Sequence, residues 1–397
     1  MEEISIGSLI EKGDAEVKTG PFGTQLKASE YTCSGTPVLN VKNLGYSRVI
    51  RDKLDYVGDD TLARLSSHIL KTGDIVFGRK GAVDRHAYIT ETENGWMQGS
   101  DCIRLRILNG SYNPRYISYC FLTQKHKKFM EMMCSHGTTM ASLNQKIIEQ
   151  ISFPCPEREK QDQVVALLES FDKKIECNEK INENLQKQVF AYFDEIMKKH
   201  NQADYCMLSE LAYINPKRII SQKKEARCVD MSRLSVTGAF PDGWEFKPYT
   251  GGMKFVNGDT VLARITPCLE NGKAAFISFL DDDEVAFGST EYIVMASKGI
   301  VPPEMLYCLA RYRAFVDYAV KNMNGTSGRQ RVSGKAIEQF KLPHFEKQEV
   351  EEFALISREH FEKIKKNSLE NMALYELRSN ILPKVLSGEI DVSGLKA

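Results

Sequence analysis

A chain of 397 residues exceeds what one hydrophobic core usually organises, so two or more domains are expected. With 42% hydrophobic and 27% charged residues it has the make-up of a soluble globular protein, and no apolar run approaches the roughly 20 residues that span a bilayer. A formal net charge of zero weighs against a uniformly basic nucleic-acid binder, and ten cysteines scattered without a Cys-x-x-Cys pair exclude a paired zinc knuckle and point to reduced core thiols.

In chain order, Met1-Glu2-Glu3-Ile4-Ser5 lacks the basic region and apolar run of a signal peptide, so a cytoplasmic protein is expected. A strand-rich stretch follows, with Gly73-Asp74 as a turn before the strand Ile75-Val76-Phe77 and the basic Arg79-Lys80 at its end. A helix is predicted near Pro114 to Lys128, with proline in its first turn, then a Gly137-Thr138 loop and a strand closing at Pro154-Cys155-Pro156. A long helix runs from Glu159 to Lys198. The sequence then repeats itself. Lys71-Thr72-Gly73-Asp74-Ile75-Val76 matches Val256-Asn257-Gly258-Asp259-Thr260-Val261, Gly99-Ser100 matches Gly288-Ser289, and Tyr119-Cys120 matches Tyr307-Cys308. His136-Gly137-Thr138-Thr139 matches Asn324-Gly325-Thr326-Ser327, Lys146-Ile147 matches Lys335-Ala336, and Glu159-Lys160-Gln161 matches Glu346-Lys347-Gln348. The offset stays between 185 and 189. The second copy carries its own helix from Pro302 to Val320 and a second long helix near the end. Four segments result: 1–155, the central long helix in 156–200, 201–343, and the C-terminal long helix in 344–397. The first and third hold 19 basic against 17 acidic and 18 against 16 residues, while each helical segment holds 8 against 10. The small positive excess therefore lies on the two large segments.

A 4-3 spacing through the first long helix selects Ile175, Asn178, Asn182 and Leu185, and a shift of 189 selects Ile364, Asn367, Asn371 and Leu374 in the second. Seams repeating every 3.5 residues are the mark of a coiled coil. If the helices pack antiparallel, Asn178 faces Asn371 and Asn182 faces Asn367, and a slipped register leaves buried amides unpaired. An alternative second seam passes through Phe361, Leu382 and Leu386.

Together these features resemble the specificity subunit of type I restriction–modification systems. The resemblance rests on Gly20-Pro21-Phe22-Gly23-Thr24-Gln25-Leu26-Lys27, Tyr31, Gly35-Thr36-Pro37-Val38 and the Gly-Asp-Ile-Val-Phe-Gly-Arg strand. The Gly-Thr loops, the Glu-Lys-Gln helix starts and Leu386-Ser387-Gly388-Glu389-Ile390 add to it. The second copy departs at its opening, where Asn215-Pro216-Lys217-Arg218 stands for Gly20-Pro21-Phe22-Gly23. The resemblance implies an α/β (α+β) fold: two target-recognition domains in a pseudo-twofold arrangement, separated by an antiparallel coiled coil of two long helices. It further implies a non-catalytic subunit that reads a bipartite, asymmetric site on double-stranded DNA. Two methyltransferase subunits bearing S-adenosylmethionine would dock on it, restriction subunits would join them, and the chain itself would hold no cofactor or metal. Elementary geometry agrees: a helix of about 40 residues at about 1.5 Å each spans about 60 Å, so heads at its two ends would meet a duplex at separate places.

Guanine is read by Arg or Lys, adenine by Asn or Gln, and phosphates by hydroxyl groups and backbone amides. The best loop for this is Asn324-Gly325-Thr326-Ser327-Gly328-Arg329-Gln330-Arg331. Its partner in the first copy holds His136, Thr138 and Thr139, while Arg79, Lys80, Arg264 and Thr266 sit at strand ends. Asn271 and Lys273 flank a hairpin tip, and Lys18 precedes the first Gly-Pro turn. Each position could equally be an exposed turn residue serving solubility.

Other classes fit less well. Asn113-Pro114-Arg115-Tyr116 has the start of an amino-methyltransferase motif but lacks its second proline, and the other copy reads Val301-Pro302-Pro303-Glu304. Asp242-Gly243-Trp244-Glu245-Phe246-Lys247 has the letters of a metal-dependent nuclease compressed into what reads as a turn. Asp281-Asp282-Asp283-Glu284 reads as an exposed loop, and no histidines pair at metal-ligand spacing. A coiled-coil scaffold that binds proteins but reads no DNA stands as the second non-enzymatic class.

Overall fold

The structure is a computed structural model that describes residues 3–394 except 22–24, 82, 135–141, 200–204 and 327–328. The chain divides into two compact units, Met1–Asp172 with Glu376–Ala397, and Lys173–Tyr375. Both are mixed α/β, and two long helices, Arg158–Lys199 and Lys347–Ser387, each contribute one part to either unit.

In the first unit, Glu3–Ser5 pairs antiparallel with Ser152–Pro154, tying the opening of the repeat to its close. The main sheet has the spatial order Ala15–Thr19, Cys102–Ile107, Ile75–Gly78, His86–Tyr88, all antiparallel. A second sheet orders Tyr31–Thr32, Asp55–Val57, Thr36–Leu39 and Met97–Gln98, the last two parallel. The second unit repeats the plan. Tyr205–Met207 pairs with Lys341–Pro343, and the main sheet orders Ala212–Ile214, Tyr292–Ser297, Thr260–Ala263, Ala274–Phe276. In its second sheet, Glu225–Val229 takes the place of Thr36–Leu39 and again lies parallel to the strand that ends in Gly288. The edges differ: among the described residues only the first unit has a strand like Tyr31–Thr32 beyond the hairpin, and the second unit adds Lys254–Phe255 on the other side.

Each Gly-Asp turn is built the same way. Gly73 and Gly258 have φ of +90° and +86°, a region that penalises any Cβ. The amide of each donates across the turn, Gly73 to the Ile89 carbonyl at 2.9 Å and Gly258 to Ile277 at 2.7 Å. Asp74 accepts from the Lys71 amide at 2.8 Å and Asp259 from the Val256 amide at 2.9 Å. The carboxylates lie almost fully buried, so each takes an arginine: Arg106 grips Asp74 twice at 2.7 Å, and Arg218 grips Asp259 at 3.1 and 3.2 Å. Burying either acid without its partner would cost several kcal/mol.

The helix expected from Pro114 to Lys128 is two helices, Pro114–Cys120 and Gln124–Cys134. Asn113 caps the first by accepting from the Arg115 and Tyr116 amides at 2.9 and 3.3 Å. Thr123 starts the next, its hydroxyl donating to the Cys120 carbonyl at 2.8 Å and accepting from the His126 amide at 3.3 Å. The helix expected from Pro302 to Val320 is likewise split into Pro303–Arg311 and Arg313–Lys321, with Tyr312 extended at φ −69°, ψ 128°. A Cβ on Gly73 would touch Pro114 at 3.5 Å and one on Gly258 would touch Pro303 at 3.8 Å. Pro303, not Pro302, therefore occupies the place of Pro114, one residue off the register that aligns the two Tyr-Cys pairs.

Along the long helices, residue numbers rise on one where they fall on the other, so the segments pair antiparallel within each unit. In the second unit the Asn178 amide donates to the Asn371 carbonyl oxygen at 2.8 Å, and the Asn367 amide donates to that of Asn182 at 2.8 Å. Asn371 also reaches the Ile175 carbonyl at 3.4 Å. Ile175, Asn178, Ile364, Asn367 and Asn371 are buried, and Asn182, Leu185 and Leu374 are half-buried. The alternative positions are buried too, for another reason. Phe361 packs on Phe276 and Tyr307 with ring centroids 5.0 and 5.5 Å away, and Leu382 and Leu386 join Val164 and Leu168 in the first unit's core. The apolar stripe is wide because each helix meets both its partner helix and a sheet domain.

Where the first unit docks on its helical part, the contact is polar. Arg115 donates to Asp172 at 2.9 Å and lies 3.6 Å from Glu169; Tyr119 donates to Asp172 at 2.7 Å, and Arg378 pairs with the same carboxylate. Arg115 also donates to the Ser47 hydroxyl at 2.8 Å; that hydroxyl lies 2.6 Å from Ser118, which meets His86 Nε2 at 2.9 Å. Burial pushes the His86 imidazole down to about 3 and that of His126 to about 4, so both are neutral at pH 7. Among the described residues no helix is long and apolar enough to cross a membrane.

Candidate nucleic-acid interface

In the second unit, several residues singled out in the sequence meet at one end of the main sheet. The strand Thr260–Ala263 runs on into Arg264, whose amide donates to the Glu291 carbonyl at 3.0 Å and whose carbonyl accepts from Val332 at 3.0 Å. Thr266 and Gln330 exchange bonds, amide to carbonyl and amide to hydroxyl, both at 3.1 Å. Asn324 and Arg331 close the base of the glycine loop with reciprocal amide–carbonyl bonds of 3.0 and 2.9 Å. Asn324, Thr326 and Arg329 are exposed, while Gln330, Arg331, Arg264 and Thr266 are half-buried. Ser327 lies outside the described residues.

Arg331 is already engaged. Its guanidinium takes both carboxylate oxygens of Glu291, at 2.7 to 2.9 Å, and donates its remaining nitrogen to the Arg329 carbonyl at 3.0 Å. Arg264 stands 3.9 Å from the same carboxylate. The hydrogen bond from Arg331 holds the Glu291 carboxyl below the usual range against partial burial, with Arg264 assisting, so the acid is ionised at neutral pH. Two arginines around one carboxylate leave the cluster with one net positive charge. Asn271 is exposed on the turn that follows Thr266, but Lys273 is turned back onto the protein, where its ammonium donates to the Met231 carbonyl at 2.9 Å.

The first unit frames its counterpart with the same backbone bonds. The Arg79 amide donates to the Asp101 carbonyl at 2.8 Å and the Arg79 carbonyl accepts from Leu143 at 2.9 Å. Lys80 bridges to Ser142, and its exposed ammonium lies 3.8 Å from the Asp101 carboxylate. Asp101 directly precedes Cys102, which pairs with Gly78, as Glu291 directly precedes Tyr292, which pairs with Ala263. Lys18 lies apart, on the edge strand opposite Arg104 and beside His68. His136, Thr138 and Thr139 lie outside the described residues. Sequence reasoning passed over Glu291 and Asp101; the signal was an acid one residue after Gly99-Ser100 and two after Gly288-Ser289.

The catalytic look-alikes are all otherwise occupied. The Asn113 side chain caps its helix and donates to Asp162 at 2.6 Å. Lys247 sits between Asp230 at 2.8 Å and Glu245 at 2.9 Å, on an exposed hairpin. Asp281 and Glu284 pair with Arg227. Among the described residues no group of three His, Cys, Asp or Glu side chains could hold a metal ion.

Comparison with known proteins shows what the first half of this frame is similar to. Residues 4–187 match the family model described as the type I restriction modification DNA specificity domain. Over 167 residues the chain is 23% identical to a putative type I restriction enzyme MjaX specificity subunit of Methanocaldococcus jannaschii, covering 40% of this chain and 39% of that one. Over 146 residues it is 29% identical to the type I restriction enzyme EcoAI specificity subunit of Escherichia coli, covering 35% and 25%. The matched stretches thus span well under half the length of these relatives. The fold resembles the crystal structure of a type I restriction-modification system S subunit from M. genitalium, with a TM-score of 0.57 at 13% identity over 97% of this chain and 95% of that one. Residues 4–187 thus match the type I restriction modification DNA specificity domain, and the second unit repeats the topology of the first.

Proposed function

We propose that this chain is the DNA-reading, non-catalytic subunit of a cytoplasmic type I restriction–modification complex, each unit reading one half of a split, asymmetric site. The carrying observation is one backbone frame built twice with different side chains at its loop end: Lys80 and Asp101 in one unit, Arg264, Arg331 and Glu291 in the other. Identical heads would read a palindrome; dissimilar loops on a shared frame suit two different half-sites. Arg329, Gln330, Asn324, Thr326 and Asn271 are the foremost contacts in the second unit, with Thr266 behind them and Arg79 and Lys80 in the first. The long helices set the number of unread base pairs between the half-sites. Methyltransferase subunits, two in number and bearing S-adenosylmethionine, and restriction subunits are the partners. Exposed Leu355, Leu369 and Leu377 on the second long helix support protein docking.

Methylome sequencing of a host with and without this gene tests the reading. The expected result is one bipartite methylated motif that disappears with the gene, and a changed gap when heptads are inserted into the 158–199 helix. A pure scaffold would leave the methylated sequence unchanged. The reconstituted complex should also bind its site far more tightly than random duplex, with an affinity that falls steeply with salt.

A further inference from the structure

An acid at a DNA-reading loop needs a reason, because it repels every phosphate that approaches. Glu291 is placed where that repulsion is felt: 26% exposed, it holds the fork of Arg331 and faces Arg264, both on the proposed contact loops. The first unit has an acid at the corresponding backbone position, Asp101, although its cation is a lysine from the strand end rather than an arginine from the loop. Neither pair is buried: side-chain exposure is 37% for Arg331, 57% for Lys80 and 52% for Asp101. Such pairs add little to stability, at most about 1 kcal/mol each, so folding alone does not account for an acid in both places.

Recognition does. A bare arginine binds phosphate whatever the sequence, and that sequence-independent term competes with specific binding. An arginine whose Nε and one Nη are held by a carboxylate has that fork filled and its charge offset, so a phosphate reaching its outer face is repelled by the carboxylate behind it. A base edge is different, since it is neutral and carries both donors and acceptors. It can accept from the arginine's outer face and donate to the carboxylate's free lone pairs, as cytosine N4 or adenine N6 would.

We propose that Glu291, and Asp101 at the same place in the first unit, are specificity-determining residues that keep the adjacent cations off the phosphate backbone and so suppress sequence-independent DNA binding. This rests on the DNA-reading function proposed above. Removing either acid frees one cation for one further phosphate, which steepens the salt dependence by about 0.9 in log–log slope and tightens random-duplex binding roughly eightfold at 0.1 M salt relative to 1 M.

The test measures binding of a random-sequence 40-base-pair duplex, across a salt series, by the full chain reconstituted with its methyltransferase subunits. Glu291→Gln and Asp101→Asn should each tighten binding and steepen the slope, and Glu291→Gln combined with Arg331→Ala should lose the gain. The two acids lie in separate units, so a folding defect in one variant leaves the other informative. Binding that is unchanged or weakened in both single variants, while the wild type binds, would overturn this inference and leave the DNA-reading function standing. Absence of duplex binding by the wild type and every variant would overturn that function, and the inference with it.

Discussion

The two units grip their long helices at matching places with opposite chemistry. In the first, the second residue of the docking helix is Arg115, set against Glu169 and Asp172. In the second, the same position is Glu304, a buried acid whose carboxyl is pushed up by burial and opposed by Arg358, 189 residues beyond Glu169. The residue 189 beyond Asp172 is Phe361, and in place of a carboxylate shared by Arg115, Tyr119 and Arg378 stands a ring packed on Phe276 and Tyr307. One junction is ionic and hydrogen-bonded, the other aromatic. Backbone position is repeated while side-chain chemistry is not: each junction needs only complementary partners, and a charge pair can be inverted or replaced by rings if both sides change together.

Four experiments break or sharpen that contrast, and the two tryptophans make it observable, since Trp96 lies in the first unit and Trp244 in the second. Single-tryptophan variants report each unit by fluorescence. Acid should separate them most. His86 and His126 have folded pKa values below the unfolded 6.5, so their stabilising contribution is complete above about pH 6.5 and is lost as pH falls toward 4 and 3. At about 1.4 kcal/mol per pH unit for each histidine, the first unit loses about 5 kcal/mol by pH 4.5. The Trp96 transition should therefore precede that of Trp244; simultaneous transitions would deny the asymmetry. Next, Phe361→Ala should remove about 4 kcal/mol from the second unit, seen as an earlier urea midpoint at Trp244. Asp172→Asn leaves Arg115 and Arg378 without their shared anion and should cost the first unit about 2 kcal/mol, read at Trp96. The smallest effect is expected at the helix pair. Asn178→Leu alone strands the Asn371 side-chain carbonyl oxygen and costs about 1 kcal/mol, whereas the double variant with Asn371→Leu recovers that loss but admits shifted registers, detectable by cysteine cross-linking.

Much of the fold was legible because it is written in local signals. The Gly-Asp turns, the proline helix starts and a repeat at nearly constant offset are short patterns with direct backbone meaning. The facing of Asn178 with Asn371 followed from counting along one helix and subtracting along the other. The broken helices were missed because Phe121 and Tyr312 are acceptable in helices, and the breaks are set by a threonine cap and by packing. Phe361 was weighed as a seam residue because periodicity reports only that a face is apolar, not what covers it. Glu291 and Asp101 were invisible for a related reason. Glu291 pairs with an arginine 40 residues away and Asp101 with a lysine 21 residues away, contacts that sheet topology creates and spacing does not announce. Lys273 looked available for DNA because nothing in Asn271-Gly272-Lys273 discloses a carbonyl at Met231.

The composition of the first unit also bears on how the protein is made. Its interior includes Leu382, Val385, Leu386 and Val392 beside Ile6, Leu9 and Phe153. A ribosome therefore delivers every residue of the second unit, 173 to 375, before it supplies the last wall of the first. The nascent first unit must wait with apolar surface uncovered through some two hundred further residues of synthesis, a span in which holdase chaperones would find it.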